Sequence, residues 1–326
     1  MQMTSNPARV NALCQRWGVV LAGGDGKRLL PLTRRMTGDD RPKQFCAVIG
    51  DQTLLQQTRC RVARMISRDR TLLVLTRAHE RFYQPEVTGA SPSLLLIQPQ
   101  NSGTSAAIMY SLMRIRTMDS IGLVAFFPSD HYIADDEAFA AQVDLAFSLA
   151  EFYPEMVFLL GIVPEKPEAS YGWIEPAALL QNPYAESISC VSRFWEKPSA
   201  VCASDLMGRG CLWNSFIMVG RADAFLNLAQ RTIPCLYSAF ESVRQSFSTA
   251  TEESALYGLY HSIPSSSFSD EVLTVSPQDL AVIRSSGFGW SDLGEPERVL
   301  AVQARKGPTS ERARPILDGK VSYEIA

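Results

Sequence analysis

The hydrophobic residues of the chain follow two kinds of pattern. Uninterrupted apolar runs predict buried strands at residues 17–22, Leu72–Leu75, Leu94–Ile97, Leu123–Phe127, Val157–Val163 and Leu280–Ile283. Between some of these runs, Asp51–Ser67 and Asp136–Phe152 carry apolar residues at a period of about 3.6, which predicts amphipathic helices. The alternation of apolar strands with such helices indicates an α/β fold, in which helices cover both faces of a parallel sheet.

A glycine-rich segment follows the first predicted strand. Three glycines between Gly23 and Gly26 precede Lys27 and Arg28, and Lys43 follows a little later. A backbone without Cβ atoms can approach a ligand closely, so that its N–H groups surround phosphate oxygens while flanking cations neutralise their charge. We therefore predict a triphosphate-binding loop. A glycine-rich turn on a basic surface is the alternative that this segment alone leaves open.

Two common phosphate-binding motifs do not fit this loop. A Walker loop requires Ser or Thr after its lysine, whereas Arg28 follows Lys27. A Rossmann dinucleotide fingerprint requires a third small residue where Leu29 stands. Neither a Walker NTPase nor a Rossmann oxidoreductase is therefore favoured.

Two aspartates stand at the ends of predicted strands. Asp130 comes shortly after Leu123–Phe127, and Asp292 lies among glycines and small residues after Leu280–Ile283. Ligands of such sheets bind at the carboxyl ends of the strands, and Mg²⁺ usually takes only one or two protein carboxylates together with phosphate oxygens and water. The pair predicts a Mg²⁺ site. Taken alone, Asp130 could instead cap the following turn.

Composition limits the number of domains and the kinds of partner that the chain can have. With 326 residues the chain has room for one or two domains, and its net charge of −3 provides no basic surface for nucleic acid. Its seven cysteines are scattered without a C-x-x-C pair, which supports neither a disulfide framework nor a zinc site. No apolar run approaches the roughly 18 residues of a membrane span. We expect a cytoplasmic protein with no nucleic-acid or membrane partner.

Several motifs in register resemble one family. LAGGDGKRLLPLT from Leu21 resembles the sugar-1-phosphate nucleotidyltransferases, and PKQF from Pro42 resembles their mannose-1-phosphate guanylyltransferase branch. SYGWIEP, RFWEKP, LWNSFIMVG and GFGWSDLG resemble further motifs of that family, although Phe216 stands where a glycine is usual. The resemblance implies a Rossmann-like, mixed but mostly parallel sheet flanked by helices. It implies a catalytic domain over residues 17–302, after a loose extension of residues 1–16 and before a polar tail of residues 303–326.

The resemblance also implies roles for individual residues. It assigns Arg28 to the leaving phosphates, Lys43 to the α-phosphate, Lys197 to the sugar phosphate, and Asp130 with Asp292 to Mg²⁺. It assigns Gly172, Glu196 and Asn214 to the sugar. The residues that it assigns to the nucleotide are Leu21, Ala22, Gly23, Gly24, Gly26, Gln98, Gly103 and Thr104. Lys27 stands where the family more often has a small or hydroxyl residue, and we expect it to add a phosphate contact or to point to solvent.

The implied reaction joins an NTP, with GTP favoured, to a hexose 1-phosphate, with mannose 1-phosphate favoured. Residues 101–105, however, read NSGTS and lack the arginine and proline of the guanylyltransferase string G-R-N-T-A-P. Gln98 and Gly103 instead fall where the thymidylyl branch carries its base-contacting residues. Another pair of substrates, or a non-catalytic regulatory homologue, therefore stays open, as does assembly into a homo-oligomer.

Overall fold

The structure is a computed structural model that describes residues 16–184 and 188–306. The predicted N-terminal extension, apart from Arg16, and the tail beyond Lys306 lie outside the described residues. The last described helix runs on to Lys306, past the predicted domain boundary at residue 302.

One large mixed sheet forms the centre of the fold. Its nine strands are β1 (Arg16–Leu21), β2 (Thr71–Thr76), β3 (Leu95–Gln98), β4 (Leu123–Pro128), β6 (Val157–Ile162), β7 (Trp173–Leu179), β8 (Ile188–Trp195), β9 (Leu212–Arg221) and β10 (Leu280–Ser285), and a separate two-stranded ribbon consists of β5 (Tyr132–Ile133) and β11 (Trp290–Ser291). The strands of the large sheet follow the spatial order β3-β2-β1-β4-β9-β6-β10-β8-β7, and their pairings make β8 and β9 run opposite to the other seven. The predicted mostly parallel sheet is thereby confirmed.

Helices cover both faces of this sheet. They are α1 (Leu30–Thr37), α2 (Leu54–Val62), α3 (Glu80–Tyr83), α4 (Gly103–Met118), α5 (Asp136–Phe152), α6 (Ala200–Gly208), α7 (Ala222–Thr232), α8 (Pro234–Val243), α9 (Glu252–Ser262) and α10 (Pro296–Lys306). The apolar residues of α4 and α7 to α9 pack on one face of the sheet, and those of α2, α5 and α6 pack on the other. In the part of the chain that the structure describes, no helix is both long and apolar enough to cross a membrane.

Local capping explains where the predicted helices begin. The helix predicted at Asp136–Phe152 has those bounds, and the Asp135 carboxylate accepts hydrogen bonds from the backbone amides of Glu137 (2.9 Å) and Ala138 (3.0 Å). The helix predicted at Asp51–Ser67 is shorter. It starts only after Thr53, which forms a capping box with Gln56.

A third, smaller apolar cluster supports the edge of the sheet where the glycine loop lies. It joins segments that are distant in sequence, since its buried members are Leu29, Cys46, Val48, Ile49, Leu54, Tyr132, Leu293, Val299 and Val302. These residues come from the segments around the glycine loop, from the surroundings of both ribbon strands and from α10. The candidate site is built on this cluster.

Candidate active site

The glycine loop follows β1 directly and requires glycine at two positions. A methyl group added at Gly23 would lie 2.5 Å from Gln98 Nε2 and 2.8 Å from Thr76 Oγ1. Gly26 has a φ of +61°, and a methyl group there would lie 3.2 Å from the backbone nitrogen of Lys43. A larger residue at Gly23 would press against side chains of β2 and β3, and one at Gly26 would press against the backbone at Lys43.

Side chains from neighbouring segments hold the carbonyl groups of this loop. Gln44 Nε2 donates to the carbonyl oxygens of Ala22 (3.0 Å) and Gly24 (2.7 Å), and the Thr76 hydroxyl donates to that of Gly23 (2.9 Å). Gln44 is 2% exposed. With its carbonyl oxygens fixed against the protein, the loop has its shape set before any ligand arrives.

The two cations after the loop are both accessible. Arg28 Nη1 lies 2.8 Å from Glu295 Oε1, and the side chains of both residues are substantially exposed. Lys27 is more exposed still, and its Nζ lies 3.8 Å from Asp25 Oδ2. An exposed ion pair exchanges partners at little cost, so Arg28 is able to leave Glu295 for a phosphate.

Lys43 lies between the two predicted metal ligands. It is 8% exposed, and its Nζ donates to the backbone oxygens of Asp292 (2.7 Å) and Leu293 (3.2 Å) and lies 3.1 Å from Asp130 Oδ2. An ammonium group has three donors. All three therefore have acceptors, and a contact between Lys43 and an α-phosphate requires the exchange of one of them.

The ribbon of β5 and β11 brings the two aspartates together. In its antiparallel register Trp290 pairs with Ile133 and Ser291 pairs with Tyr132. One step further along the same register, Asp292 lies opposite His131, next to Asp130. Two short strands thus bring these residues, which are far apart in the sequence, to neighbouring positions.

The Asp292 carboxylate is tightly held through a single oxygen. Oδ1 accepts hydrogen bonds from Arg298 Nη1 (2.6 Å), the backbone amide of Gly294 (2.9 Å) and the Tyr171 hydroxyl (3.0 Å). Burial alone would raise the pKa of Asp292, but the charges of His131 and Arg298 and the hydrogen bonds outweigh it, and the pKa is lowered. The carboxylate is therefore ionised at neutral pH.

At neutral pH, above the range in which Asp292 titrates, His131 contributes packing rather than charge to this region. Burial lowers the pKa of its imidazole, although Asp130 and Asp292 act in the opposite direction. Its Nδ1 accepts a hydrogen bond from Trp290 Nε1 (3.2 Å), and the two rings meet edge to face. At neutral pH the fixed cations beside the two aspartates are therefore Lys43 and Arg298.

The predicted sugar residues meet on three adjacent strands. The backbone amide of Asn214, in β9, donates to the carbonyl oxygen of Gly172 (2.8 Å), which directly precedes β7. A methyl group added at Gly172 would lie 3.0 Å from Glu196 Oε2 and 3.4 Å from Asn214 Cβ. Gly172 thus packs closely against Glu196 and Asn214, and a side chain at this position would crowd the Glu196 carboxylate. The neighbouring Tyr171 connects this region to Asp292 through its hydroxyl.

Two residues of this region adopt unusual backbone conformations. Lys197 has a φ of +44°, and its Nζ lies 2.6 Å from Glu196 Oε1. Phe216 has a φ of +58°, a region that favours glycine, and its backbone amide donates to Asn214 Oδ1 (3.0 Å). This conformation explains why the family motif has glycine at that position. Strained residues of this kind often cluster at functional sites.

The predicted base-reading segment packs closely against other parts of the chain. Gln98 is 2% exposed, and its Oε1 accepts a hydrogen bond from the Tyr260 hydroxyl (3.1 Å). Gly103 has a φ of +87°, and a methyl group there would lie 2.1 Å from the carbonyl oxygen of Ser266. Thr104 Oγ1 accepts from the backbone amide of Phe268 (2.9 Å). In this arrangement Gln98 supports the glycine loop, and its contact with a base stays a prediction.

Comparison with known proteins identifies the family. The profile described as nucleotidyl transferase matches residues 17–306. The chain belongs to the nucleotidyl transferase family. The xanthan biosynthesis protein XanB of Xanthomonas campestris pv. campestris (strain B100) is 30% identical over 298 residues, which are 89% of this chain and 60% of XanB. The mannose-1-phosphate guanylyltransferase of Escherichia coli (strain K12) is 30% identical over 288 residues, 85% of this chain and 57% of that protein.

A solved structure extends the likeness to three dimensions. A Thermus thermophilus protein described as mannose-1-phosphate geranyltransferase superposes with a TM-score of 0.75 at 27% identity, over 88% of this chain and 79% of that chain. This nucleotidyl transferase therefore shares its fold with that neighbour. It spans about three fifths of the length of the two curated relatives.

The structure adds residues to this nucleotidyl transferase site that the motifs did not indicate. Arg298 and Tyr171 hold Asp292, Glu295 pairs with Arg28, and Gln44 fixes the glycine loop. Gln44 lies inside the PKQF motif, so its position was a signal that could have been used. Arg298 and Glu295 carry no such signal, because their partners are fixed only by the docking of α10.

Proposed function

We propose that this chain transfers a nucleotidyl group from GTP to mannose 1-phosphate, giving GDP-mannose and pyrophosphate. An oxygen of the sugar phosphate attacks the α-phosphorus, the bond between the α- and β-phosphates breaks, and pyrophosphate leaves with the electron pair. A phosphate monoester has its second pKa near 6, so it is mostly a dianion at neutral pH and needs no general base. The cytoplasmic location expected from the sequence remains part of this proposal.

The observation that carries the proposal is the contact of Lys43 with both aspartate segments. Its ammonium lies 3.1 Å from the carboxylate of Asp130 and 2.7 Å from the backbone oxygen of Asp292, beside the glycine loop. A cation and a carboxylate therefore lie in contact beside the predicted triphosphate-binding loop. Such a site suits phosphoryl and nucleotidyl chemistry, in which positioning and electrostatic stabilisation supply the rate.

The donor set at this place fits magnesium. Over residues 16–184 and 188–306, no group of three or more His, Cys, Asp and Glu side chains could hold a metal by itself. Mg²⁺ needs no such group, because it is usually bound by one or two carboxylates plus substrate phosphates. Asp130 and Asp292 are the residues that would hold it. When bound, Mg²⁺ would neutralise charge on the phosphates near the reacting phosphorus.

The remaining residues take roles in binding and orientation. The backbone amides of the glycine loop and the accessible Arg28 suit the leaving pyrophosphate, whose charge they offset. Lys197 suits the phosphate of the sugar substrate, since it is exposed and pairs with Glu196, which lies against Gly172. The Glu196 carboxylate and the Asn214 amide suit sugar hydroxyls. Alignment of the two substrates then supplies much of the rate.

The choice of substrates rests on similarity in sequence. The name of the E. coli relative specifies mannose 1-phosphate and a guanylyl group, and PKQF and WNS agree with it. The altered segment at residues 101–105 leaves a different pair as the main alternative within the same chemistry. A non-catalytic regulatory homologue is less well supported, because the charged set of Arg28, Lys43, Asp130, Lys197 and Asp292 is complete.

The test measures pyrophosphate release by the purified protein with Mg²⁺. Each of GTP, UTP, dTTP, ATP and CTP is paired with mannose 1-phosphate and with glucose 1-phosphate. We expect pyrophosphate release with GTP and mannose 1-phosphate. Asp292→Asn keeps the size of the side chain but removes its charge, and it should lower the rate of release by about 10²- to 10³-fold. Asp205→Asn, on the surface of α6, is the matched control and should keep full activity. Release with another pair would reassign the substrates, and a folded protein inactive with every pair would contradict the proposal.

A further inference from the structure

Arg298, in the first turn of α10, lies at the centre of a buried ionic cluster. Its Nη1 lies 2.6 Å from Asp292 Oδ1, its Nη2 lies 3.1 Å from Glu168 Oε2 and also donates to the Ser170 hydroxyl, and its guanidinium carbon lies 4.3 Å from the centre of the Tyr171 ring. Arg298 is 9% exposed. It lies outside every motif that predicted the site.

The position of Arg298 is fixed by the docking of its helix. Val299 and Val302, on the same helix, are buried in the third apolar cluster together with Leu293, next to Asp292. Glu168 is held in turn by the backbone amide and hydroxyl of Ser170 at 3.2 Å and 2.9 Å. The guanidinium fork is therefore presented to Asp292 in one orientation, which a flexible surface cation would not achieve.

This contact decides which oxygen of Asp292 is available. Oδ1 accepts three hydrogen bonds, from Arg298, Tyr171 and Gly294. Both lone pairs of Oδ1 are engaged by these donors, so an ion at Oδ1 would have to displace at least one of them. Oδ2 is therefore the oxygen that a metal ion at Asp292 would bind.

The same contact also changes the charge that an ion would meet. Asp292 is already paired with Arg298, and Asp130 is already paired with Lys43 at 3.1 Å. A divalent ion that arrives alone would find two carboxylates whose charges are compensated and two cations that repel it. A nucleoside triphosphate reverses this balance, because it brings several negative charges and its own oxygen ligands.

We propose that Arg298 is a positioning residue that makes divalent-ion binding at Asp292 dependent on bound nucleotide. It occupies Oδ1, keeps Oδ2 directed to the ion, and disfavours the ion until a triphosphate is present. This inference rests on the proposed function, and it adds to it an order of binding in which the metal enters with the nucleotide.

The test uses Mn²⁺ as the probe and the free-ion electron paramagnetic resonance signal as the readout, in the absence of nucleotide. Arg298→Gln removes the charge but keeps an N–H donor for Oδ1. We expect Mn²⁺ to bind this variant at least about tenfold more tightly than wild type, the change that 1.4 kcal/mol produces. Arg298→Lys keeps the charge and should bind Mn²⁺ as weakly as wild type. Its turnover should fall, because a lysine lacks the guanidinium fork that contacts Asp292 with one nitrogen and Glu168 with the other.

A control variant separates this effect from general changes in α10. Arg305→Met removes an exposed ion pair with Glu165 (3.0 Å) on the same helix and should leave Mn²⁺ binding unchanged. Mn²⁺ affinity in folded Arg298→Gln equal to that of wild type would overturn the proposal, as would tight binding of Mn²⁺ by wild type without nucleotide. If Arg298→Gln does not fold, Arg298→Lys decides: tight nucleotide-free Mn²⁺ binding by this charge-keeping variant would equally overturn it. Pyrophosphate release by the wild type tests the proposed function separately, because it does not depend on any Arg298 variant.

Discussion

Replacing Lys43 by methionine removes the ammonium that joins the two aspartate segments while keeping a long, unbranched side chain. In the folded protein this ammonium has three partners, at 2.7, 3.1 and 3.2 Å, and the side chain is nearly buried. Two of the partners are the backbone oxygens of Asp292 and Leu293, and the third is the carboxylate of Asp130. The substitution leaves all three without this donor.

The size of the effect follows from these contacts. A buried acceptor that loses its donor costs about 1–3 kcal/mol, so the two carbonyl groups together account for about 2–6 kcal/mol. The Asp130 side chain is 30% exposed, so water replaces part of its lost interaction and we add little for it. We expect Lys43→Met to lower the free energy of unfolding by about 3 kcal/mol. With an unfolding entropy of about 2.1 cal/mol/K per residue over the domain of residues 17–306, that loss corresponds to a fall in melting temperature of about 5 °C.

The assay is urea unfolding followed by tryptophan fluorescence and by circular dichroism, whose agreement tests for two-state behaviour. Lys27→Met is the matched control, because Lys27 is an exposed lysine near the same loop, 3.8 Å from its partner Asp25. It should change the free energy of unfolding by less than about 0.5 kcal/mol. A Lys43→Met protein within about 1 kcal/mol of wild type would refute the reasoning that this ammonium holds the two segments together.

Three further predictions address single contacts. Arg28→Ala should keep its stability within about 1 kcal/mol, because the ion pair it breaks is exposed, but should lose at least about 100-fold in pyrophosphate release; near-normal turnover would remove Arg28 from the site. Gly103→Ala should lose more than about 1 kcal/mol in urea unfolding, because φ is +87° and the new methyl group would meet the Ser266 carbonyl, whereas Gly258→Ala in open space on α9 should be neutral or stabilising; equal effects would contradict this. Burial lowers the pKa of His79, so below about pH 6.5 the unfolded chain binds a proton that the folded chain resists. Stability should therefore decrease as the pH is lowered below about 6.5, by at most about 1.4 kcal/mol per pH unit. His79→Gln should flatten this slope, and an unchanged slope would show that another group causes it.

The sequence pattern predicted the parts of the fold that local chemistry determines. Apolar runs located six of the nine strands of the sheet, because strands buried on both faces have no polar side to interrupt them. The strands β7, β8 and β9 mix buried and more accessible positions and were not predicted. The helix Asp136–Phe152 was predicted with its observed bounds, since a capping aspartate stands directly before it. The predicted helix Asp51–Ser67 starts too early, because the capping box of Thr53 and Gln56 makes α2 begin at Leu54.

The motifs located candidate residues but not their partners. That Asp130 and Asp292 lie at neighbouring positions depends on the ribbon of β5 and β11, whose strands of two residues each are too short to leave a periodic signal. That Lys43 is buried with three acceptors, rather than open to a phosphate, depends on a backbone segment about 250 residues later in the chain. Contacts of this kind arise from tertiary packing, and no local pattern encodes them.

Arg298 shows the same limit most clearly. Its position beside Asp292 depends on α10 docking through Val299 and Val302, and the predicted domain boundary at residue 302 falls inside this helix. The apolar spacing within this helix was available as a signal of its docking. The sequence held no signal for the residue that the buried first turn would contact. That contact depends on how the glycine loop, the ribbon and the helix pack together.

The most direct test of the central claim follows the oxygen atoms of the sugar phosphate. Mannose 1-phosphate labelled with oxygen-18 on its phosphate is incubated with the protein, GTP and Mg²⁺, and the products are analysed by mass spectrometry. The proposed mechanism predicts one GDP-mannose for each pyrophosphate, with all of the label in GDP-mannose and none in pyrophosphate. Label in pyrophosphate, or pyrophosphate released with GMP and no nucleotide sugar, would contradict the transfer that the site is proposed to catalyse.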